Sequence, residues 1–155
     1  MRSQFCHVSD LAPTILELLG VESHHRPGIG TPGCSFAASL RDAYAATAKD
    51  VQYFEMFGHR GLVHDGWKAV AYHEPGTAFE DDEWELYHLA EDFNEVHNLA
   101  EVEPERLQQL QSLWWQQAET NQVLPLDDRF APRFAENAER HRGGRTHYTL
   151  SLIHI

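Results

Sequence analysis

The pair Asp65–Gly66 is the feature that most constrains how this chain folds. It lies between the segments RGLVH and WKAVAY, which have the spacing of apolar residues typical of strands. Both central residues of a type I′ turn need positive φ, and Asp-Gly satisfies this need, so the pair predicts a two-residue β-hairpin. In such a hairpin His64 opposes Trp67, and His73 stands level with Gly58.

The segments around the hairpin predict an antiparallel sheet and a helix. VQYFEMFG is mostly apolar on both faces and predicts a buried strand, whereas WELYHL predicts another short strand. Pro104 at a first helical position and a helical spacing of apolar residues predict a helix over about 104–120, with Trp114 or Trp115 buried. We therefore expect an α+β fold in which a C-terminal amphipathic helix covers a small antiparallel sheet. The apolar residues of that helix are Leu107, Leu110, Leu113 or Trp114, and Ala118.

The segment SDLAPTILELLG predicts a packed helix over about 10–19. Ser9 or Asp10 can cap its start, and Gly20 can end it. A Gly/Pro-rich loop follows, and FAASLRDAYA predicts a short helix after the loop. The expected apolar stripe of the first helix consists of Leu11, Ile15, and Leu18 or Leu19.

Charge and composition exclude several classes of partner. The chain has 12 Lys+Arg against 24 Asp+Glu, a formal charge of -12, which argues against nucleic acid because its binding requires a basic face. No apolar run approaches the ~18 residues of a membrane helix, and no signal peptide is recognisable. Cys6 and Cys34 can pair in a disulfide but do not identify a compartment, so the localisation stays open.

The histidines of the hairpin do not form a metal site if its strands are regular. Side chains alternate across a strand, so His59 and His64 point to opposite faces. His73 shares the face of His64 but stands about 20 Å away along the strand. One polar side chain, His59 or Arg60, could instead reach into a pocket built elsewhere, because a bend after Gly58 would turn it sideways.

Other candidate residues have a structural interpretation. His7 precedes the first helix, so we expect it to hydrogen-bond the helix cap rather than face a cleft. His24 and His25 lie in a Gly/Pro loop and are expected to be solvated. Cys34 has no adjacent base or oxyanion-stabilising pattern, so we expect a loop or buried thiol rather than a nucleophile.

Five segments in order carry a resemblance to a known family. They are HVSDLAPTILELLGVE, GCSFAASL, YFEMFGHRGLVHDGWKAV, WELYHLAEDFNEVHNLA and PERLQQLQSLWWQQAETNQVLPLDD. The order closely resembles the C-terminal part of bacterial arylsulfatases, which are type I sulfatases of the alkaline phosphatase-like superfamily. The resemblance covers about residues 5 to 150, and DGWK followed by ELYHLAEDFNEVHNLA is its most specific part.

The resemblance implies a sulfuric ester hydrolase as the parent protein. Such enzymes hydrolyse small-molecule sulfate esters with a formylglycine made from a C/S-x-P-x-R motif and a calcium ion bound by Asp/Asn. Neither Cys6 nor Cys34 stands in that motif. We therefore assign no catalytic residue, metal ligand or cofactor to this chain, and expect the missing N-terminal catalytic domain to carry them. His59 and Arg60 are the candidate substrate-facing residues, and the fragment alone is expected to be inactive.

The resemblance also implies a division of the chain. Residues 1–48 correspond to the edge of the α/β sulfatase domain, 49–126 to a C-terminal antiparallel subdomain and 127–150 to a polar extension. Met1 is then interpreted as an internal start. We interpret 151–155 as a non-native tail, because CTGTCTCTTATACACATC, which resembles a transposon end, encodes LSLIHI.

Two alternatives remain open from the sequence. The first is the same region of a phosphonate or phosphate ester hydrolase of the superfamily, since this region lacks the residues that choose between sulfate and phosphate. The second is a stand-alone interaction module without chemistry. An upstream C/S-x-P-x-R motif favours the sulfatase, whereas a genuine promoter and start at Met1 favour the module.

Overall fold

The computed structural model describes residues 4–21 and 33–129. The described part is a four-stranded antiparallel sheet with a long helix against one face and a short helical segment at the N-terminal end. Of its helices, none combines the length and apolar character needed to cross a membrane. The elements are α1 (Leu11–Leu18), α2 (Ala37–Arg41), β1 (Val51–Met56), β2 (His59–His64), β3 (Trp67–Ala71), β4 (Trp84–His88) and α3 (Pro104–Thr120), with 3-10 helices at Val8–Asp10 and Phe79–Asp81.

The hairpin predicted at Asp65–Gly66 is confirmed. Both residues have positive φ, 49° and 76°, and His64 pairs with Trp67 in the antiparallel register of β2 and β3. The predicted helix over about 104–120 is observed as α3, and WELYHL contains β4. The sheet has the order β1-β2-β3-β4, so each strand pairs with its neighbour in the sequence.

The prediction that β1 is a buried strand is wrong. Within residues 4–21 and 33–129 it is the first strand of the sheet and pairs only with β2, so one of its edges has no strand neighbour in that part of the chain. Its side chains Phe54 and Met56 are 39% and 65% exposed. An apolar composition on both faces does not reveal which strand lies at the edge, because that depends on the order of strands in the sheet.

The core lies between the sheet and α3. Trp114 is fully buried, and its indole Nε1 donates a hydrogen bond of 3.0 Å to the carbonyl oxygen of Phe54. Trp115 is 41% exposed, so the expectation that at least one of the two is buried is confirmed. The buried cluster consists of Leu62, Ala69, Leu86, Leu110, Trp114 and Ala118.

The helix predicted over about 10–19 forms as α1 but differs from expectation in its cap and packing. Asp10 is the N-cap residue of α1, as predicted, but its side chain makes no capping hydrogen bond to that helix. His7 caps the preceding 3-10 helix, where its Nδ1 accepts a hydrogen bond of 3.3 Å from the Ser9 amide. Asp10 instead accepts from the His7 amide at 2.8 Å, because its side chain points back toward the chain. The predicted apolar stripe is about half exposed or more along its length: Leu11 49%, Ile15 54%, Leu18 49% and Leu19 70%.

Candidate functional site

The two predicted substrate-facing residues stand side by side at the start of β2 and point to opposite faces of the sheet. Arg60 lies on the α3 side and is 4% exposed. His59 lies on the other face, next to the ring of Tyr72, at a centroid distance of 4.8 Å. The structure therefore places these neighbours in different environments, one enclosed and one partly open to solvent.

Arg60 is enclosed by a carboxylate and four aromatic rings. Its Nη2 forms an ion pair with Asp82, and donates to the carbonyl oxygen of Phe79 at 3.1 Å. Burial lowers the pKa of Arg60, whereas the Asp82 carboxylate opposes that shift. Arginine stays charged in proteins, so the surrounding rings and Asp82 hold a buried cation. The guanidinium carbon lies 5.2–5.9 Å from the ring centroids of Phe79, Trp84, Trp114 and Trp115.

Asp82 also holds His73, which is fully buried. The carboxylate oxygens lie 2.9 and 3.0 Å from Nδ1 of the imidazole, whose ring stacks on Phe79 at 4.2 Å. This position of the His73 ring requires a glycine at residue 58, because a Cβ there would lie 2.6 Å from Cδ2 of His73. Hairpin geometry predicted that His73 stands level with Gly58, and this contact agrees with it.

Asp128 reaches the same cluster from the segment after α3. Its Oδ2 accepts from the Gly76 amide at 2.6 Å and lies 3.5 Å from Nε2 of His73. The Gly76 hydrogen bond is the main cause that lowers the pKa of Asp128, and His73 contributes. The carboxylate therefore ties the chain after α3 to the loop after β3. We call Arg60, His73, Asp82 and Asp128 the Arg60 cluster.

His59 is oriented by the main chain of His73. Its Nδ1 accepts a hydrogen bond of 3.1 Å from the His73 amide. The other ring nitrogen, Nε2, has no hydrogen-bond partner among the described residues and is absent from their buried unpaired atoms. The ring thus has one nitrogen used as an acceptor and one nitrogen left available.

A second buried ion pair lies at the N-terminal end. Lys49 Nζ is 2.8 Å from Asp10 Oδ1, and the side chains are 5% and 2% exposed. Burial alone would raise the pKa of Asp10, but hydrogen bonds from Lys49 and from the Cys34 and His7 amides hold it below its ordinary value. These contacts fix α1 and the segment at Cys34 to the chain that enters β1. His7 also bonds Ser9 Oγ at 2.9 Å, which fits its predicted structural role.

The remaining candidates do not gather into a site in the described part of the chain. His64 bonds the Asp50 carbonyl oxygen at 2.9 Å, at the far end of β2 from His59. Cys6 and Cys34 are exposed free thiols, so the disulfide left open by the sequence is not formed. His24 and His25 lie outside the described residues.

Residues 4–21 and 33–129 contain no group of three or more His, Cys, Asp or Glu side chains placed to hold a metal ion. The calcium implied by the resemblance therefore finds no fitting set of ligands among them. An open groove of about 410 Å³ lies on α3 and is lined by Gln108, Gln109, Ser112, Leu113 and Gln116. None of these residues belongs to the Arg60 cluster, and they offer no titratable group.

Sequence reasoning missed most of the Arg60 cluster. It named Arg60 but gave no role to Asp82 or Asp128, because their partners are 22 and 52 residues away in the sequence. The available signal was the hairpin register, which places the end of β3 beside the start of β2. That register identifies the neighbourhood of His73 but not which carboxylates of the following loop turn inward.

Comparisons with known proteins relate the chain to a part of much longer proteins. No family model matches it. An uncharacterized sulfatase of Schizosaccharomyces pombe is 34% identical over 134 residues, which are 81% of this chain and 23% of that protein. The chain therefore spans about a quarter of the length of this curated relative.

Two solved structures share the fold. The crystal structure of Ps i-CgsB matches with a TM-score of 0.62 and 14% identity, over 89% of this chain and 30% of that one. A protein solved with its substrate D-glucosamine-2-N,6-O-disulfate matches with a TM-score of 0.55 and 19% identity, over 78% of this chain and 25% of that one. At these identities the matches bear on the fold alone, and they agree with the predicted α+β architecture.

Proposed function

We propose that this chain, a sulfatase homologue that resembles the C-terminal part of such enzymes, contributes to the hydrolysis of sulfate esters in an intact sulfatase. The observation that carries this proposal is the 34% identity to a sulfatase over 81% of the chain. The parent protein is then a sulfuric ester hydrolase of the arylsulfatase type, of bacterial origin. This chain supplies its antiparallel subdomain and one helix of the larger domain.

The reaction centre of that enzyme lies outside these 155 residues. No C/S-x-P-x-R motif occurs in the sequence, and the described residues lack a calcium site. In the intact enzyme, formylglycine would supply the nucleophile, and calcium would stabilise charge on the sulfuryl group. This chain's residues hold the subdomain together and face the remainder of the substrate, so the chain alone is expected to be inactive.

Of the two candidate substrate-facing residues, His59 has an available polar atom. Its Nε2 has no hydrogen-bond partner among the described residues, and it borders Tyr72, which is 69% exposed. Arg60 is held by Asp82 and aromatic rings, so its contact with substrate stays a prediction that would require the rings to separate. The substrate is a small-molecule sulfate ester, and sugar sulfates are the first class to test because one relative of similar fold was solved with such a substrate.

The gene sequence upstream of Met1 tests this proposal. An open reading frame that continues upstream and encodes a C/S-x-P-x-R motif is the expected result. A promoter and ribosome-binding site directly before Met1, without that motif in frame, would contradict it and favour the stand-alone interaction module. The alternative of a phosphonate or phosphate ester hydrolase finds no support in the names of the relatives, and the activity of the extended protein separates it from a sulfatase.

A further inference from the structure

The face of the sheet opposite α3 presents one oriented hydrogen-bond donor, the imidazole of His59. A neutral imidazole carries its proton on one nitrogen, and the nitrogen that accepts a hydrogen bond must be the other. Because Nδ1 of His59 accepts from the His73 amide at 3.1 Å, the proton of the neutral ring lies on Nε2. That Nε2–H has no acceptor among the described residues.

The ring of His59 is held in place from two sides. Tyr72 lies against it on the neighbouring strand, at a centroid distance of 4.8 Å. The amide that fixes the tautomer belongs to His73, whose side chain is fully buried and hydrogen-bonded to Asp82. A donor fixed in this way loses little conformational freedom when it binds a ligand oxygen.

The charge near His59 favours an uncharged oxygen over a second anionic group. The loop 74–83 starts directly after His73 and contains five acidic residues and no basic one. One of its carboxylates, Asp82, is neutralised by Arg60, whereas Glu74, which follows His73 in the sequence, adds negative charge next to the strand end. An additional sulfate or carboxylate at His59 would therefore be repelled, while a hydroxyl group would not.

We propose that His59 is a specificity-determining residue whose Nε2–H donates a hydrogen bond to an uncharged oxygen, such as a hydroxyl, on the alcohol portion of the sulfate ester. This rests on the proposed function. The sulfuryl group must lie at the nucleophile, which this chain does not carry, so the alcohol portion is the part of the substrate left for this chain to contact. Tyr72 then borders the same portion.

Two substrates and three variants of the full-length enzyme test the proposal. Catechol monosulfate has an uncharged hydroxyl beside the ester, and phenyl sulfate lacks it. His59→Phe keeps a ring but removes the donor, His59→Gln retains a donor, and His64→Phe makes the same change at the other end of β2. Thermal unfolding followed by circular dichroism verifies that each variant is folded.

The expected result is a loss of about tenfold in kcat/KM for catechol monosulfate with His59→Phe, the size of one hydrogen bond, and a much smaller loss for phenyl sulfate. His59→Gln should recover part of the loss in kcat/KM. His64→Phe should leave the ratio of the kcat/KM values for the two substrates unchanged. Equal losses with both substrates, or none, would overturn the role of His59 and leave the sulfatase function intact. Failure of the wild-type enzyme on both esters would contradict the proposed function itself.

The tautomer can be measured on this chain without any activity. In ¹⁵N NMR spectra of the neutral ring, the proton of His59 is expected on Nε2. A proton on Nδ1 would overturn the inference, whatever the kinetics show.

Discussion

The amide of His73 and Nδ1 of His59 lie 3.1 Å apart, so the main chain of one histidine sets the orientation of another. The side chain of the same His73 is buried on the opposite face, between Asp82, Phe79 and Gly58. His73, two residues after the end of β3, therefore links the enclosed Arg60 cluster to the open face of the sheet. A substitution in the Arg60 cluster that shifts the main chain of His73 is therefore expected to change the orientation of the His59 ring.

Gly58→Ala is expected to destabilise the fold more than Gly76→Ala. Both glycines have nearly the same positive φ, 88° and 87°, so both variants pay a similar backbone cost of ~1–2 kcal/mol. A Cβ at Gly58 would also press on His73 at 2.6 Å, whereas nothing lies within 4 Å of one at Gly76. Urea unfolding should therefore show that Gly58→Ala loses ~1–3 kcal/mol more free energy of unfolding than Gly76→Ala. Equal losses of unfolding free energy in the two variants would contradict this expectation and show that the His73 ring moves aside at no energetic cost.

Arg60→Met is expected to cost far more stability than Lys68→Met. The Arg60–Asp82 pair is buried, with side chains 2% and 4% exposed, and removing one partner of such a pair typically costs ~3–5 kcal/mol. The Lys68–Glu95 pair is 28% and 31% exposed, so its loss should cost at most ~1 kcal/mol. Urea unfolding at neutral pH measures both. If Arg60→Met lowered the free energy of unfolding by less than about 1 kcal/mol, the buried Asp82 carboxylate would not require a cationic partner, and this expectation would be contradicted.

Acid is expected to weaken the fold partly through Asp10. Its pKa is held below the ordinary value, so its ionised form adds stability above the unfolded carboxyl pKa of ~4, and this stability is lost as the pH falls through the lower folded pKa. The Asp10→Asn variant should be destabilised at pH 7 because Lys49 stays buried without its partner, and should lose less stability than the wild type between pH 5 and acid. Asp65→Asn, at an exposed turn position, is the control. Identical acid profiles for wild type and Asp10→Asn would contradict this role.

The isolated chain is expected to self-associate through α1. Ile15, Leu18 and Leu19 are 54%, 49% and 70% exposed at helical spacing, and contiguous apolar surface of this kind promotes association. In the intact enzyme we expect the missing N-terminal catalytic domain to cover it. Size-exclusion chromatography should show elution that shifts with concentration, and Ile15→Glu should reduce the shift. Phe93→Glu, which changes another exposed apolar residue, is the control and should not.

Local chemistry made much of the sheet predictable. The Asp65–Gly66 turn fixed the register of β2 and β3, and the spacing from Pro104 onward predicted α3. The turn at Phe57–Gly58 was missed, because Phe rarely adopts the φ of 54° observed here and Phe57 was therefore assigned to the strand. The edge position of β1 was missed for a different reason, since it follows from sheet order rather than from composition.

The candidate site was less predictable than the fold. The sequence named His59 and Arg60 as candidates, one of which a bend after Gly58 could turn sideways. Both are instead regular residues of β2, and strand alternation separates their faces. The sequence could not predict that Asp82 turns inward to Arg60 and His73, because four other acidic residues share its loop. Which carboxylate is buried depends on the three-dimensional position of the buried cations. The division of the chain at 48, 126 and 150 stays a prediction, and the proposed tail at 151–155 lies outside the described residues.

The most direct test of the sulfatase assignment is the hydrolysis of para-nitrophenyl sulfate by the protein extended to its upstream start. Release of nitrophenol should be much faster from the sulfate than from para-nitrophenyl phosphate, and the 155-residue chain alone should release none. A preference for the phosphate would contradict the sulfatase assignment in favour of a phosphate ester hydrolase. Turnover of the sulfate by the isolated chain would contradict the proposal that its reaction centre lies elsewhere.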